Sequence, residues 1–301
     1  MASAIDARRR RRVKPPVLFA WMVMLPLIVW QVIFTGIPLV IAFSQSLQTG
    51  DLVAPVHPFV GWQNYQYALT QDPTFVATVV NTLIFAFVTV VIGNAASLAL
   101  ALLVGRVQRF AGLFRTIFYL PGITTAVAIV AIWKWIFDTN QGVLNQLLIH
   151  VGVPGQDWLG NTSLALPSII GMSIWWGIGG GMLIYLAGLQ GVDQTLYEAA
   201  RIDGAGARTL VWHITLPQLR PVIVFQTVIG IIGGMQVFTQ TYLLTQGGPI
   251  DATRSMVEYM YETAFKDGNF GYAAAISFLL FGIVFILVLA ELWLVRGWER
   301  A

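Results

Sequence analysis

The chain has 301 residues, of which 57% are hydrophobic and only 10% are charged. A soluble domain carries roughly 25% charged residues, and the apolar residues here come in blocks of about 20 or more, which is typical of membrane-spanning helices. The net charge of +3 is too small to indicate a nucleic-acid partner. The absence of cysteine excludes disulfides, thiolate metal sites and a cysteine nucleophile.

Six apolar stretches predict an all-α integral membrane protein with six transmembrane helices. They are residues 17–43, 75–104, 116–137, 165–189, 217–244 and 272–295. The first is longer than the roughly 7–15 apolar residues of a signal peptide, so we expect it to be retained as a span. Residues 17–74 are thus predicted to comprise the first span and the external loop that follows it. The segments 138–164 and 245–271 are predicted to be the other external loops.

Both termini are predicted to lie in the cytoplasm. Residues 1–16, which include Arg8–Arg12 and Lys14, form a basic tail beside the first span. With this tail inside, 14 of the 17 lysines and arginines lie on the inner side, and only Lys134, Arg254 and Lys266 do not. The positive-inside rule favours this orientation, and it makes residues 296–301 a second cytoplasmic tail. Nucleic-acid binding by the arginine run is the alternative, but no folded basic domain accompanies it.

Groups that could carry catalysis are scarce. His57, His150 and His213 are far apart on different loops, and no histidine, cysteine or carboxylate spacing indicates a metal site. None of the three lysines belongs to a G-x-x-x-x-G-K-[ST] phosphate-binding loop. We therefore expect no enzyme activity, no metal and no cofactor in this chain.

The polar segment 193–217, between the fourth and fifth stretches, is expected to be more than a connector. Asp193 and Thr195 can cap a short helix at its start, and Gly204 allows a sharp turn. Leu216-Pro217 is predicted to begin the next helix, since proline suits the first turn. A short helix of this kind fits insertion into a groove on a cytoplasmic partner. An amphipathic helix lying in the membrane interface is the alternative.

The spacing in this segment resembles the EAA loop of binding-protein-dependent ABC importer permeases. The pattern EAA-x3-G-x9-I-x-LP is matched at every fixed position, by Glu198, Ala199, Ala200, Gly204, Ile214, Leu216 and Pro217. The resemblance implies a cytoplasmic coupling loop whose first four matched residues contact an ATP-binding subunit and whose last three shape the returning chain. It also implies the type I ABC importer permease fold, with residues 75–295 as the permease core.

A second resemblance concerns the solute. The segment Thr245–Pro249, TQGGP, is similar to the LTxGGP segment of the carbohydrate-uptake branch, as is the run Tyr259–Ala275 downstream. This looks like a maltose- or glycerol-phosphate-type first permease, which pairs with a second, different permease. The resemblance implies a sugar or a sugar-like solute, and a permease for a non-sugar solute is the alternative.

In maltose-type relatives, side chains from the middles of the fourth and fifth spans hold the sugar, as expected for a site near the membrane midplane. The corresponding positions here, with two neighbouring glutamines, are Ser173, Trp176, Gly177, Gly180, Gly230, Gly233, Gly234, Gln236, Val237 and Gln240. Two interpretations stay open. The glycines widen a cavity in which Trp176 stacks on a sugar face and Gln236 and Gln240 bond hydroxyls, or they only allow close helix packing.

The resemblance implies an assembly in the inner membrane of a bacterium or archaeon. Its other members would be a second homologous permease subunit, two cytoplasmic ATP-binding subunits that hold ATP and Mg, and an extracytoplasmic solute-binding protein. Transport would proceed by alternating access, powered by the ATP-binding subunits. An ion-coupled secondary transporter is the remaining alternative, for which Glu291, close to Arg296, is the sole charged candidate within a span.

Overall fold

The computed structural model describes residues 17–50, 58–107 and 109–298. The basic tail predicted at residues 1–16, His57 in the first external loop and residues 299–301 lie outside the described residues.

Helices are the only regular secondary structure of the described chain, apart from one isolated β-bridge between Gln48 and Phe59. In chain order the helices are α1 (Val17–Gln31), α2 (Ile37–Ser46), α3 (Gln63–Thr70), α4 (Pro73–Arg106), α5 (Ala111–Ile123), α6 (Ala126–Ile136), α7 (Val143–His150), α8 (Ala165–Gln190), α9 (Gln194–Ile202), α10 (Ala207–Leu210), α11 (Leu216–Gln218), α12 (Arg220–Met235), α13 (Thr239–Thr245), α14 (Met256–Phe265) and α15 (Phe270–Trp298). Two π-helical turns, Val32–Gly36 and Val211–Thr215, join α1 to α2 and α10 to α11.

Four segments of the described chain are long and apolar enough to cross a membrane: residues 21–46, α4, α8 and α15 up to Val295. Two helix pairs reach that length only as bent units. In one, α5 and α6 meet at 96°, and in the other, Ala207–Gln218 meets α12 at 68°. The described chain therefore has the six predicted spans when each bent pair counts as one.

The helices differ from the continuous ones predicted at 116–137 and 217–244, which are broken at Thr124–Thr125 and after Met235. Thr124 and Thr125 have extended ψ angles of 143° and 142°, which ends α5 shortly after Pro121 and starts α6 in a new direction. The expectation that a helix begins at Leu216-Pro217 is also wrong in detail. The helix that starts at Ala207 continues through Pro217, a residue without a backbone N–H that lies just after a π-helical turn. The chain takes its new direction at Arg220.

The central helix of the fold is α4, which packs against α8 and α12. The last helix, α15, packs against α2, α3, α12 and α14, so the two short helices α3 and α14 form a layer against it. None of α3, α7 and α14 was expected from the sequence, because each is only 8 to 10 residues long and lies outside the long apolar stretches. This arrangement places the middles of α4, α8 and α12 next to one another.

Candidate functional site

Local hydrogen bonds fix both ends of α9, the helix that carries the EAA pattern. Asp193 Oδ1 accepts the Thr195 backbone N–H at 2.9 Å, so Asp193 is the N-cap and Thr195 lies inside the helix. At the other end Gly204 has a φ of +83°, and the Ala205 N–H donates to Ala200 O at 2.8 Å. This is a Schellman arrangement, in which glycine adopts the left-handed φ without strain. The spacing from Ala200 to Gly204 therefore sets where the helix ends.

One buried contact holds α9 to the returning chain. Thr215 is 2% exposed, and its Oγ1 donates to Leu210 O at 3.2 Å. Tyr197 Oη lies 3.0 Å from Thr215 Oγ1 and is therefore the donor in that pair. This contact joins α9 to the π-helical turn before Pro217. The EAA pattern gives no signal for it, because it leaves both positions open.

The outer face of α9 is open. Glu198 and Ala199 are exposed, and Ile202 is 86% exposed although it is aliphatic. Ala200 is half-buried, as are the three matched residues of the returning chain, Ile214, Leu216 and Pro217. An exposed aliphatic side chain beside two alanines and a carboxylate gives α9 a flat surface suited to contact with another protein.

A cavity of about 360 Å³ lies near the middles of α4 and α8, between these helices and α12. This volume is within the range of small-molecule sites. Seven of the residues predicted for the substrate pathway line it: Ser173, Trp176, Gly177, Gly230, Gly233, Gly234 and Gln240. The Trp176 indole N–H donates to Pro121 O at 2.8 Å, which fixes the ring against the bent α5 at the cavity wall.

Sequence reasoning did not assign several polar residues that also line this cavity. They are Thr89, Asn94 and Ser97 on α4 and Gln226 on α12. Ser97 Oγ donates to Ile178 O at 3.1 Å, and Asn94 Nδ2 lies 3.4 Å from Thr227 Oγ1. Their signal in the sequence is a polar residue inside an apolar span, which normally faces a neighbouring helix or a cavity.

Three predicted pathway residues do not line the cavity. Val237 is 3% exposed and packs in the core with Phe85 and Leu244, and Gln236 is exposed at the end of α12. Val237 was assigned by counting along a continuous helix and Gln236 as a neighbouring glutamine, whereas α12 ends at Met235 and the chain changes direction before α13. Gly180 is half-buried on α8, beside the cavity but outside its wall.

The glycines divide between the two interpretations that the sequence left open. A Cβ added at Gly177, Gly180 or Gly233 would meet no heavy atom within 4 Å. A Cβ at Gly234 would lie 2.8 Å from Ala86 Cα, and one at Gly179 would overlap the backbone carbonyl of Phe118. The lining glycines Gly177 and Gly233 therefore leave space in the cavity, whereas Gly234 and Gly179 allow close helix packing.

Residues 93–299 match the family model described as "Binding-protein-dependent transport system inner membrane component", and this range includes α9 and most of the cavity wall. The chain belongs to this family. It is therefore an inner-membrane permease of a transport system, and its relatives are transport permeases rather than enzymes.

Individual relatives span nearly the whole chain. The lactose transport system permease protein of Rhizobium radiobacter is 33% identical over 282 residues, which cover 92% of this chain and 93% of the relative. The trehalose/maltose transport system permease protein of Thermococcus litoralis is 32% identical over 264 residues, covering 88% and 89%. A bacterial ABC transporter involved in import of the acidic polysaccharide alginate has a chain of the same fold, with a TM-score of 0.81 at 24% identity over 93% of this chain and 96% of that one.

The Gly-Gly-Pro segment of the permease is a tight turn held against α4. Gly247 has a φ of +78°, and a Cβ there would lie 2.9 Å from Arg254 Nε. The Thr253 N–H donates to Gly247 O at 3.2 Å. Asn81 Nδ2, from α4, donates to Asp251 O at 2.7 Å. Asn81 thus faces a neighbouring segment, as expected for an asparagine in an apolar span.

A buried carboxyl group lies next to this turn. Glu258, in the first turn of α14, is 0% exposed, and neither of its side-chain oxygens has a hydrogen-bond partner among the described residues. Burial raises the pKa of Glu258 to about 7; the nearby Thr241 hydroxyl acts against this rise, and the charge of Glu262 adds to it. Arg254 does not neutralise it directly, since Arg254 pairs with Asp251 at 2.7 Å and with Glu262 at 3.1 Å.

We expect this carboxyl group to make the stability of the layer formed by α3 and α14 depend on pH. Glu258 is neutral in both the folded and the unfolded state below its ordinary pKa of 4.5 and charged in both above about 7. The free energy of unfolding should therefore fall as pH rises from 4.5 to 7, by up to about 3 kcal/mol, and then level off. Thermal unfolding of the detergent-purified permease between these limits measures the fall.

Glu258→Gln should remove this part of the pH profile and stabilise the protein at neutral pH. Asp267→Asn is the matched control, because Asp267 is an exposed carboxylate just after the same helix and should leave the profile unchanged. A profile that is the same in wild type and Glu258→Gln would contradict the prediction.

Proposed function

We propose that the permease translocates a sugar or sugar-like solute, delivered by an extracytoplasmic solute-binding protein, in an importer driven by partner ATP-binding subunits. The observation that carries this proposal is α9, a capped helix with the complete EAA pattern and an open outer face, set between α8 and the segment leading into α12. The names of the relatives, which transport lactose and trehalose or maltose, support a sugar as the solute.

Coupling would act through the contact surface of α9. Glu198, Ala199 and Ala200, with Gly204 at the end of the helix, would contact a groove of an ATP-binding subunit. Ile214, Leu216 and Pro217 would transmit the movement to α12, because the half-buried return is continuous with the bend before that helix. The helix can shift the transport equilibrium only if its contacts with the ATP-binding subunit differ between the two states. ATP and Mg would be bound by that subunit.

The central cavity would form this chain's share of the solute pathway. Trp176 offers an aromatic face, Gly177 and Gly233 leave room beside it, and Ser173 and Gln240 offer hydrogen-bonding groups. Asn94 adds a further polar side chain from α4. A mainly apolar wall with a few placed polar groups is typical of small-molecule sites. A second homologous permease subunit would supply the other half of the pathway.

We expect Glu198→Ala to abolish most solute uptake while leaving the permease folded. Glu198 is exposed, so truncation removes a contact surface without opening a cavity in the core. Loss of a charged interface contact costs about 2 kcal/mol or more, which is roughly 30-fold in affinity for the ATP-binding subunit. The measurement is uptake of a panel of labelled di- and oligosaccharides into cells, together with the amount of ATP-binding subunit that co-purifies with the tagged permease.

Thr209→Ala is the control on the neighbouring helix, because Thr209 is exposed but occupies a variable position of the EAA pattern. The importer proposal fails if no ATP-binding subunit co-purifies with wild type and Glu198→Ala leaves uptake intact. Uptake that is independent of any ATP-binding subunit but sensitive to Glu291→Gln would instead favour an ion-coupled transporter. Glu291 is half-buried on α15, and the side chain of Arg296, its expected neighbour, lies outside the described residues.

A further inference from the structure

A second cavity, of about 530 Å³, lies behind α9, where α4 and α8 end. The last turns of α4 contribute Leu102 and Arg106, and α8 contributes Leu189. Leu210 and Val211 close the far side. The cavity is larger than the central one, and it combines an apolar wall of aliphatic side chains with polar groups. Because it lies at the ends of two spans, it is at the level of the membrane–water interface.

The two faces of α9 have different surroundings. Gln194, Tyr197 and Arg201 follow one another at three and four residues, so they share one helix face, and all three line the cavity. Glu198 and Ile202 lie outside the cavity wall and are exposed. A ligand in the cavity would therefore lie between α9 and α4, and the surface proposed for the ATP-binding subunit would stay free.

The charges on the cavity wall are all positive. Arg106 and Arg201 line it, and no carboxylate among the described residues does. Within the described part of the chain, neither guanidinium forms an ion pair with a carboxylate. A guanidinium group matches the geometry of a phosphate and binds it through paired, charge-assisted hydrogen bonds.

We propose that this cavity binds a phosphate ester, with Arg106 and Arg201 holding the phosphate and the aliphatic wall contacting the carbon chain attached to it. The headgroup of an anionic phospholipid presents this chemistry at the level of the span ends, and a soluble phosphate ester presents it from the water. Placing the site on the cytoplasmic side, where basic pockets meet anionic headgroups, rests on the proposed function. The binding itself does not.

The test uses the full-length permease with its co-purifying subunits. Native mass spectrometry counts the phosphatidylglycerol molecules retained from mixed phosphatidylglycerol–phosphatidylcholine nanodiscs, and calorimetry with inorganic phosphate tests the soluble source. The double variant Arg106→Gln/Arg201→Gln should weaken phosphatidylglycerol binding about tenfold or more, the value expected for losing charge-assisted contacts. Arg208→Gln is the control, because it also replaces an arginine by a neutral glutamine, but at an exposed position outside this cavity. It should leave phosphatidylglycerol binding unchanged.

The variant Gly105→Leu tests whether binding needs the space of the cavity as well as its charge. A Cβ at Gly105 meets only Leu186 Cδ2, at 3.6 Å, so the variant should fold while adding a side chain to the cavity wall. We expect it to weaken binding as the arginine variants do. Phosphate binding that is lost in the same variants, without selective retention of phosphatidylglycerol, would support the soluble source.

Equal retention of phosphatidylglycerol and equal phosphate binding in wild type and all variants would overturn the proposal, as would retention of phosphatidylcholine to the same extent. Failure of the importer proposal would appear separately, as the absence of an ATP-binding subunit from the purified complex, and would leave the binding result unchanged.

Discussion

Gly179→Ala should destabilise the permease by at least about 2 kcal/mol, because the added methyl group has no space. Gly179 is buried on α8, and its Cβ would overlap the carbonyl group of Phe118 and lie 2.8 Å from Tyr119 Cα on α5. These are backbone atoms, so no side-chain rotation can relieve the overlap and the two helices must move apart. The expected result is a lower unfolding temperature in detergent and a smaller yield of folded protein.

Gly180→Ala is the matched control, one residue further along the same helix. A Cβ at Gly180 meets nothing within 4 Å, so alanine should be tolerated or should stabilise the helix by up to about 1 kcal/mol. The contrast between adjacent glycines separates helix packing from helix propensity, which favours alanine at both positions. Equal unfolding temperatures for the two variants would show that α5 and α8 do not cross at Gly179.

The second large effect is expected at Asp72, which joins α4, α14 and α15. Asp72 Oδ1 accepts the backbone N–H groups of Thr74 and Phe75 at 2.9 and 3.1 Å, as the N-cap of α4. Its Oδ2 accepts the hydroxyl groups of Tyr259, at 2.6 Å, and of Tyr272. Because Asp72 is only 5% exposed, water cannot replace these partners.

Asp72→Asn should lower the free energy of unfolding by about 2–3 kcal/mol. Asparagine keeps the oxygen that caps α4 but replaces Oδ2 by an NH₂ group, which cannot accept a hydrogen bond from either tyrosine. A double-mutant cycle with Tyr259→Phe measures the coupling, since the cost of Asp72→Asn should shrink when the hydroxyl is already absent.

Asp138→Asn provides the comparison for this cycle. Asp138 Oδ1 also accepts two backbone N–H groups, from Asn140 at 2.9 Å and Gln141 at 2.7 Å, but it is exposed and binds no side chain of another helix. Its replacement should cost about 1 kcal/mol or less. If Asp72→Asn and Asp138→Asn cost the same, the tyrosine hydroxyls contribute nothing to the stability of the contact between α4, α14 and α15.

The sequence predicted the features whose physical cause lies within a few residues. The α9 helix is an example, because its cap at Asp193 and its end at Gly204 depend on hydrogen bonds that span only a few residues. Hydropathy likewise identified all six span regions, since each is long and apolar on its own. It failed at Thr124–Thr125, where a local change of backbone direction interrupts a stretch that is apolar throughout.

The central cavity was predictable only in part. Ser173, Trp176 and Gly177 line it, and counting from the EAA pattern reaches them because α8 is a regular helix. Val237 and Gln236 do not line it, because α12 ends before them and the chain then changes direction. The polar residues of α4, such as Asn94 and Ser97, were not assigned to the cavity because nothing in a single sequence says which helices face each other.

The sequence by itself therefore determined the loop that carries the EAA pattern, the assignment to integral membrane proteins and the number of spans. All of these follow from local hydrogen bonding and from hydropathy. Only the tertiary structure decided which glycines pack and which leave space, that Asp72 joins three helices, and that Arg106 and Arg201 face one cavity behind α9. The reason is that helix crossings bring together atoms far apart in sequence. Gly179 and Gly180 are the same residue type in the same helix, and only the position of α5 distinguishes them.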